Sequence, residues 1–416
     1  MRPTHRALVL ASAFLCLTLQ SCSLIEPESQ MPLLVWYADL LPGRGFEGLN
    51  EVRAAGFTIA HVEEGDQQQN RLKLALADSL DLQLLVTDRR LLRAGLDELP
   101  LETAVFEAVQ DYRPFSSLWG YLVAINPQRR DFPRLGRIQE QLAQADPDHP
   151  AMFLIPDIDA VALDFAVASY SAYLTLFMEI VRPAVLTCAL LSDSDYRMRA
   201  DGYTHLDLLH RVSARYKVPF WGVVQCLAPE LQPPPQHSHL RVQIYSALAY
   251  GARGVHYYAY QAPPKLSFRA ASAFQQNNGM PNRLYDEVKT INSELQHLAP
   301  VLNQLQVEAV FHTDPLPNGC LPLPTDALIY RIDGKNILIS YLRSKHGDRY
   351  ALLLNKDTDR GAKIRVYFAH SVKKVIEIGK NGLFTQETIW NLAQNRNERM
   401  TFLLFKAGDG ILLKIE

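Results

Sequence analysis

The chain has 416 residues, of which 48% are hydrophobic and 21% are charged, and its formal net charge at pH 7 is -2. This length and composition are typical of a globular protein with one large domain and one smaller domain. A net charge this small gives no basic field, so we expect no nucleic-acid partner.

The first 22 residues resemble a targeting segment. Arg2 and Arg6 form a short positive region, and the apolar run ALVLASAFLCLTL (7–19) follows. Such a run is too short to cross a bilayer as a helix but suits a signal peptide. The next residues, LQSC, resemble a bacterial lipobox in which Cys22 becomes the lipid-modified first mature residue. We therefore expect an exported lipoprotein of the bacterial cell envelope, anchored to the membrane through Cys22. An ordinary secretory signal with an incidental cysteine is the alternative.

Three cysteines remain beyond this segment: Cys188, Cys226 and Cys320. Cys188 and Cys226 lie near the ends of predicted neighbouring strands. Because export permits disulfides, the two could pair, or they could remain buried free thiols. No cysteine and histidine spacing typical of zinc occurs, so we expect no metal and no cofactor.

From residue 32 to about residue 261 the chain repeats one unit, a short apolar strand followed by a loop and a helical segment. Nearly continuous hydrophobicity indicates strands that are buried on both faces of a parallel sheet. Eight such strands with intervening helices predict a (β/α)8 TIM barrel. A doubly wound open sheet is the alternative, but no glycine-rich phosphate loop follows the first strand. The predicted strands span 32–39, 58–64, 82–88, 118–126, 151–157, 184–191, 219–226 and 254–261.

The pattern changes after a long helical segment and a proline-rich stretch at 313–326. Alternating strands and turns over 327–416 predict an antiparallel β-sandwich domain. The pair Asp333-Gly334 between two strand-like runs predicts a hairpin. The expected domains are therefore a lipoprotein signal peptide at 1–22, a barrel with a trailing helix at 32–312 and a sandwich at 327–416.

Functional side chains of such barrels lie at the carboxyl-terminal ends of the strands. Here those ends are polar and aromatic, which favours a sugar-like ligand: aromatic rings pack on sugar C–H surfaces, and carboxylates and amides bind hydroxyl groups. Any single acidic residue could instead cap a helix. We expect His61 and His256, which lie in apolar elements, to be core residues. The substrate-binding candidates are Tyr37, Asp39, Arg89, Asp157, Trp221, Tyr258, Tyr260 and Gln261.

Several segments resemble the bacterial β-galactosidase-like glycoside hydrolases, which have a family 42-type (clan A) barrel followed by a β-sandwich. They are AAGFTIAHVEEG, LRVQIYSALAYGARG with GVHYYAYQAP, YDEVKTINSELQHLAPVL, and RYALLLNKD with AGDGILLKI. The resemblance covers nearly the whole mature chain and implies a carbohydrate ligand. Barrels of this family often assemble, which makes a homo-oligomer a candidate state.

Clan A enzymes place a Glu acid/base at the end of strand four and a Glu nucleophile at the end of strand seven. Relatives usually carry Asp-Glu-Pro at the first position, where this chain has Ile125-Asn126-Pro127, and the end of strand seven is Gln225. An amide has no titratable proton near neutral pH and is a very poor nucleophile. The resemblance therefore implies a protein that binds a carbohydrate but has lost the standard catalytic pair.

Two alternatives stay open. The first is an active glycosidase that uses relocated carboxylates: Glu63, Glu64 and Asp88, with Asp157 and Glu230 also nearby. Adjacent carboxylates can push their pKa values apart, although successive strand residues point to opposite faces, so one of Glu63 and Glu64 would reach the site. The second is a non-catalytic cell-surface scaffold that binds a protein or a cell-wall glycan.

Overall fold

The computed structural model describes residues 30–36, 38, 45–62, 66–96, 98–159, 161, 168–190, 192–229, 232–262, 270–271, 273–275, 280–381 and 399–416. The predicted signal peptide and Cys22 lie outside these ranges. None of the helices in the described part combines the length and the hydrophobicity that crossing a bilayer requires.

Within the described residues, eight parallel strands close into a barrel, which confirms the predicted TIM-barrel fold. Each strand pairs with the next along the chain, and the eighth returns to the first, with Leu33 opposite Val255. The strands are shorter than predicted, but most of their side chains are buried, as expected for a parallel sheet covered by helices. The barrel strands are β1 (Leu33–Val35), β2 (Ile59–His61), β3 (Gln83–Thr87), β4 (Leu118–Ile125), β5 (Ala151–Ile155), β6 (Leu186–Ala189), β7 (Phe220–Gln225) and β8 (Gly254–Tyr258).

Helices surround the barrel and turn their apolar sides toward it. In the helix Gly202–Tyr216 the predicted periodic residues Leu206, Leu209 and Val212 are buried. The last helix before β8 ends at Ala249, and Gly251 follows with φ +94°, a conformation that glycine adopts without strain. The helices are α1 (Gly45–Ala54), α2 (Gln67–Asp78), α3 (Arg89–Gly95), α4 (Leu101–Tyr112), α5 (Phe132–Ala145), α6 (Tyr170–Ile180), α7 (Gly202–Tyr216), α8 (His237–Ala249) and α9 (Arg283–Leu302).

The C-terminal region is antiparallel, as predicted, and forms two sheets that share one apolar core. In the described residues a five-stranded sheet has the order β9-β11-β12-β16-β14, and a three-stranded sheet has the order β10-β13-β15. Strand β9 pairs with β11, so this region begins ahead of the predicted linker. The strands are β9 (Leu305–His312), β10 (Ile329–Asp333), β11 (Ile337–Ser344), β12 (Arg349–Asn355), β13 (Ala362–Phe368), β14 (Val375–Glu377), β15 (Arg399–Phe405) and β16 (Gly410–Ile415).

The prediction of a hairpin at Asp333-Gly334 is wrong. Strand β10, which precedes this pair, joins the three-stranded sheet, whereas β11, which follows it, joins the five-stranded sheet. Ile329 of β10 and Ile339 of β11 are both buried in the core between the sheets. The turn therefore carries the chain from one sheet to the other, because both strands must direct their apolar faces into the same core.

Ion pairs connect the barrel to the C-terminal sheets. Arg241 of α8 donates to Glu294 of α9 at 2.7 and 2.8 Å and to Asp409, in the turn between β15 and β16, at 3.0 Å. Asp409 also accepts a hydrogen bond from Lys380 at 2.6 Å. Arg241 is largely buried, so these charges compensate one another away from bulk water.

Candidate functional site

The carboxyl-terminal mouth of the barrel is the opening formed where the eight strands end. Strands β2, β3, β7 and β8 end there at His61, Thr87, Gln225 and Tyr258. Tyr257 points outward, because its hydroxyl donates to Asn292 of α9 at 2.8 Å. Since successive strand side chains alternate, Tyr258 faces the barrel interior.

Aromatic rings fill the interior just below this mouth. The Trp36 ring, directly after β1, stacks on the His256 ring with centroids 4.9 Å apart and lies 4.1 Å from the His61 ring. The Tyr258 ring lies 6.3 Å from Trp36. The Nε2 atom of His61 is 2.7 Å from the Thr87 hydroxyl. A layer of rings contributed by β1, β2 and β8 therefore forms the floor of the mouth.

Both imidazoles in this floor are uncharged at neutral pH. Burial lowers the pKa of His256 to about 3. Burial also lowers the pKa of His61 well below its ordinary value, and the nearby His256 adds to this effect. Trp36, His61 and His256 are all buried, as expected for core residues, so this layer closes the bottom of the mouth, and of the four rings the half-buried Tyr258 is the one that a ligand can reach.

Gln225 lies half-buried at the end of β7, where the sequence predicted the nucleophile position. Its side-chain Nε2 donates to the Leu227 carbonyl at 3.1 Å. Its backbone N–H donates to the Gln243 side chain of α8 at 2.9 Å. Gln225 pairs in register with Tyr258 on β8, so this amide and this ring are neighbours at the mouth.

Asn126 is exposed at the end of β4, where the sequence predicted the acid/base position. Its φ of +50° lies in the left-handed region, which asparagine tolerates better than most residues. Its N–H donates to the Leu154 carbonyl at 2.8 Å. The preceding Ile125 is 46% exposed. Both amides predicted at the vacant catalytic positions therefore lie at the strand ends.

Asp88 faces the helix layer. It caps α3 by accepting the Arg90 N–H at 2.7 Å, and its carboxylate also binds the Arg90 guanidinium at 2.7 Å and the Tyr112 hydroxyl of α4. Burial alone would raise the pKa of Asp88, but the hydrogen bonds from Arg90 and Tyr112 outweigh it and lower that pKa. The prediction of Asp88 as a relocated catalytic group is therefore corrected: its carboxylate caps α3 and links it to Tyr112 of α4.

Two other predicted residues stay near the mouth. Asp157 is half-buried two residues beyond β5, where its charge acts on Tyr170 and His205. Arg89 is exposed at the first position of α3. These positions are compatible with contact to a ligand above the aromatic floor.

Three predicted substrate-binding residues lie elsewhere. Tyr260 is fully buried against Phe57 and Phe274, and Gln261 is buried with its amide donating to Gln275 at 2.7 Å. Trp221 lies near the start of β7, at the opposite end of the barrel. These residues do not join the carboxyl-terminal mouth in the described structure. Tyr37, Asp39, Glu63, Glu64 and Glu230 lie outside the described residues.

Trp36 is the mouth residue that the sequence reasoning missed. Strand β1 ends at Val35, and Leu34 lies in register with His256 on β8. Counting alternate residues from Leu34 reaches Trp36 on the same face, whereas the strand-end argument selected its neighbour Tyr37. Knowing which alternate residues of β1 face the barrel interior would have identified Trp36.

Cys188, Cys226 and Cys320 are free thiols, and the first two are buried. Cys188 pairs in register with Gly222, four residues before Cys226, so the two thiols lie at different heights along the barrel. Of the two possibilities left open by the sequence, the structure has buried free thiols. Among the described residues, no group of three or more histidine, cysteine or acidic side chains could hold a metal ion.

The comparisons with known proteins support the fold. No protein-family model matches the sequence, and no curated protein matches it. Solved structures do resemble it. A protein described as a glycoside hydrolase is 10% identical, with a TM-score of 0.56 over 92% of each chain. A glycoside hydrolase family 5 protein from Bacteroides vulgatus is 9% identical, with a TM-score of 0.56 over 92% of this chain and 88% of its own. At such low identities the likeness concerns the fold alone.

Proposed function

We propose that this protein binds a carbohydrate at the carboxyl-terminal mouth of its barrel, as a glycoside hydrolase-like protein of the family 42 type. The observation that carries the proposal is the adjacency of Gln225 and Tyr258 above the Trp36 ring. An amide that can bind hydroxyl groups lies beside the half-buried Tyr258 ring, which can pack on a sugar ring. The names of the two structurally similar proteins are consistent with this ligand class.

In this proposal the protein binds its carbohydrate but does not hydrolyse it by the standard glycosidase mechanism. A retaining glycosidase needs a protonatable group and a nucleophilic carboxylate about 5–5.5 Å apart. Asn126 and Gln225 supply amides at the corresponding strand ends. Asp88 is engaged with the helix layer, so the relocated carboxylates of the alternative, active glycosidase are Glu63 and Glu64, with Asp157 and Glu230 also nearby.

The proposed setting is the bacterial cell envelope. The lipobox-like LQSC sequence supports export and a lipid anchor at Cys22. We further propose a homo-oligomeric state, which the family resemblance favours, and the division into a barrel domain (32–312) and a sandwich domain (327–416), with strand β9 of the first range joined to the sandwich. Mass spectrometry of the purified protein would detect a diacylglyceryl group on Cys22, and light scattering would give the number of chains per particle.

The test of carbohydrate binding uses calorimetric titration of the full chain with lactose, cellobiose and xylobiose, together with hydrolysis assays on the matching nitrophenyl glycosides. We expect binding without turnover. Replacing Gln225→Ala should weaken binding about threefold to tenfold, since one hydrogen bond to the ligand is lost. The matched control is Gln144→Ala, which removes an exposed amide on α5.

Each possible result decides between the readings. Turnover that Glu63→Gln or Glu64→Gln abolishes would favour the active glycosidase. Saturable binding that is lost in Gln225→Ala but kept in Gln144→Ala would support the proposal. No binding to any glycan in a broad array would refute it and would favour the scaffold that binds a protein.

A further inference from the structure

A second cavity opens at the other end of the barrel, and we propose that it is a separate carbohydrate-binding site. We call this end the amino-terminal mouth; residues just before or at the starts of the strands line it, and its volume is about 800 Å³. Trp221 and Gln225, which lie at the two mouths, are four residues or about 13 Å apart on β7, and the buried His256 lies at an intermediate height, opposite Val223. One small glycan therefore cannot fill both mouths.

Two tryptophans form the floor of this cavity. Trp119 of β4 and Trp221 of β7 lie on strands that are not neighbours, and their rings meet across the barrel interior with centroids 5.2 Å apart and planes tilted by 44°. Gly254 lies flat against the Trp221 ring, and a Cβ atom there would come within 2.7 Å of it. Trp221 is thereby fixed in position, and the half-buried Trp119 presents ring surface to the cavity.

Polar side chains surround this aromatic floor. Gln83 and Asp148 are exposed at the edge, and neither side chain makes a hydrogen bond to another described residue. The His149 Nδ1 atom is held by Asp146 at 2.8 Å, which fixes the direction of the ring. An amide, a carboxylate and an imidazole around aromatic faces can bind the hydroxyl groups of a sugar whose C–H surface packs on the rings.

The charges of the cavity disfavour other ligand classes. Its cation, Arg253, already donates to the Leu302 and Leu305 carbonyls. Asp148 adds a negative charge at the edge, which opposes phosphate or carboxylate ligands. Gln83 and Asp148 place polar groups at its edge, which disfavours an acyl chain. A neutral polyhydroxyl ligand fits these constraints best.

The experiment titrates the purified full chain, in a polyoxyethylene detergent, with cellotetraose, xylotetraose and chitotetraose, and follows heat and indole fluorescence. We expect at least one probe to bind. Trp119→Ala should raise its Kd about tenfold or more, and Gln83→Ala should raise it about threefold. The matched control is Gln144→Ala, which removes an exposed amide and should not change this affinity, and Gln225→Ala is measured beside it to identify any binding at the carboxyl-terminal mouth.

Trp119→Ala removes a large ring from the barrel interior and could unfold the chain. Gln83→Ala and Asp148→Ala alter exposed side chains and should fold. If Trp119→Ala does not fold, the affinities of these two variants for the oligosaccharide probes test the amino-terminal site. The second site is overturned if none of the three probes binds below about 5 mM, or if these variants leave binding unchanged. Binding that only Gln225→Ala weakens would also overturn it, while leaving the proposed function of the other mouth intact.

Discussion

The Gln243 side chain of α8 holds both backbone polar groups of Gln225. Its Oε1 accepts the Gln225 N–H at 2.9 Å, and its Nε2 donates to the Gln225 carbonyl at 3.4 Å. The last register pair between β6 and β7 joins Ala189 to Val223, so Gln225 lies beyond the end of β6. The buried Gln243 thus takes the place of the missing strand and fixes Gln225 at the mouth.

Replacing Gln243→Met should therefore affect both stability and ligand binding. The methionine keeps the side-chain volume but leaves the Gln225 backbone groups without these partners, at a cost of about 1–3 kcal/mol in the free energy of unfolding. Denaturant titration would measure this loss. The affinity of the carboxyl-terminal mouth for its carbohydrate should also fall, because Gln225 is no longer held in place.

A matched control exists at the other end of the barrel. Gln296 of α9 accepts the Met31 N–H at 2.9 Å and donates to the Met31 carbonyl at 2.8 Å. Gln296→Met should lower stability by a similar amount without changing affinity at the carboxyl-terminal mouth. If the two variants weaken that affinity equally, Gln243 has no specific role in positioning Gln225.

Asp88→Asn should behave as a structural variant. The neutral amide weakens the bonds to Arg90 and Tyr112, so the free energy of unfolding should fall by about 2 kcal/mol. Because the folded-state pKa of Asp88 is lowered, its contribution is fully present above the unfolded-state pKa of about 3.9 and is lost as pH falls from there through the lower folded-state pKa. The stability gap between wild type and variant should therefore narrow progressively as pH falls below about 3.9.

The control is Asp326→Asn, at an exposed position, which should leave stability nearly unchanged at every pH. Carbohydrate binding, measured at a temperature where both variants are folded, should be unaffected. Loss of a measurable hydrolytic activity in a fully stable Asp88→Asn protein would contradict the structural role and restore Asp88 as a catalytic candidate.

The buried imidazole of His256 should make the protein sensitive to acid. Its folded-state pKa of about 3 is far below an unfolded-state value of about 6.5. Between these values the unfolded chain binds a proton that the folded chain does not, so each such group costs about 1.4 kcal/mol of stability per pH unit as pH falls. Above pH 6.5 neither the folded nor the unfolded chain binds this proton, so the free energy of unfolding is not reduced by His256.

His256→Phe keeps a flat ring beside Trp36 and removes this titration, so the plot of unfolding free energy against pH should become less steep between pH 6.5 and 4. Denaturant titrations at several pH values would measure the slope. The control is His346→Phe at an exposed position of the C-terminal sheets. An unchanged slope in His256→Phe would show that this imidazole is protonated in the folded state.

Strand pattern predicted the barrel well because parallel strands buried on both faces are nearly continuous in hydrophobic residues. Pattern alone did not fix which face each residue occupies. Thr87 and Asp88 are adjacent at the end of β3, yet the first bonds to His61 in the interior and the second to α3 and α4. Choosing between such neighbours requires the register of the whole barrel.

Height along the barrel is a second property that local sequence does not encode. Trp221 and Gln225 share a face of β7 but lie four residues apart, about 13 Å, and so line different mouths. The turn at Asp333-Gly334 failed for a related reason. A turn signal predicts a change of direction, while the core between the two sheets decides which sheet receives the next strand.

Restoring carboxylates at both vacant positions tests whether the carboxyl-terminal mouth keeps the geometry of a glycosidase. The double variant Asn126→Glu with Gln225→Glu would supply an acid/base and a nucleophile at the ends of β4 and β7. We expect hydrolysis of nitrophenyl glycosides above the background of the unaltered protein. Each single variant should be much less active, because the retaining mechanism needs both groups.

The left-handed backbone conformation at position 126 limits the hydrolytic activity that the double variant can reach, because it destabilises a glutamate there. Glutamate is less stable than asparagine at φ +50°, so Asn126→Glu should lower the free energy of unfolding by about 1 kcal/mol, which a denaturant titration would detect. Asn126→Asp is the control, because aspartate tolerates this conformation but carries a shorter side chain. A double variant that folds and binds sugar but hydrolyses nothing would show that the mouth is built for binding, because the two strand ends would then lack the separation that a glycosidase requires.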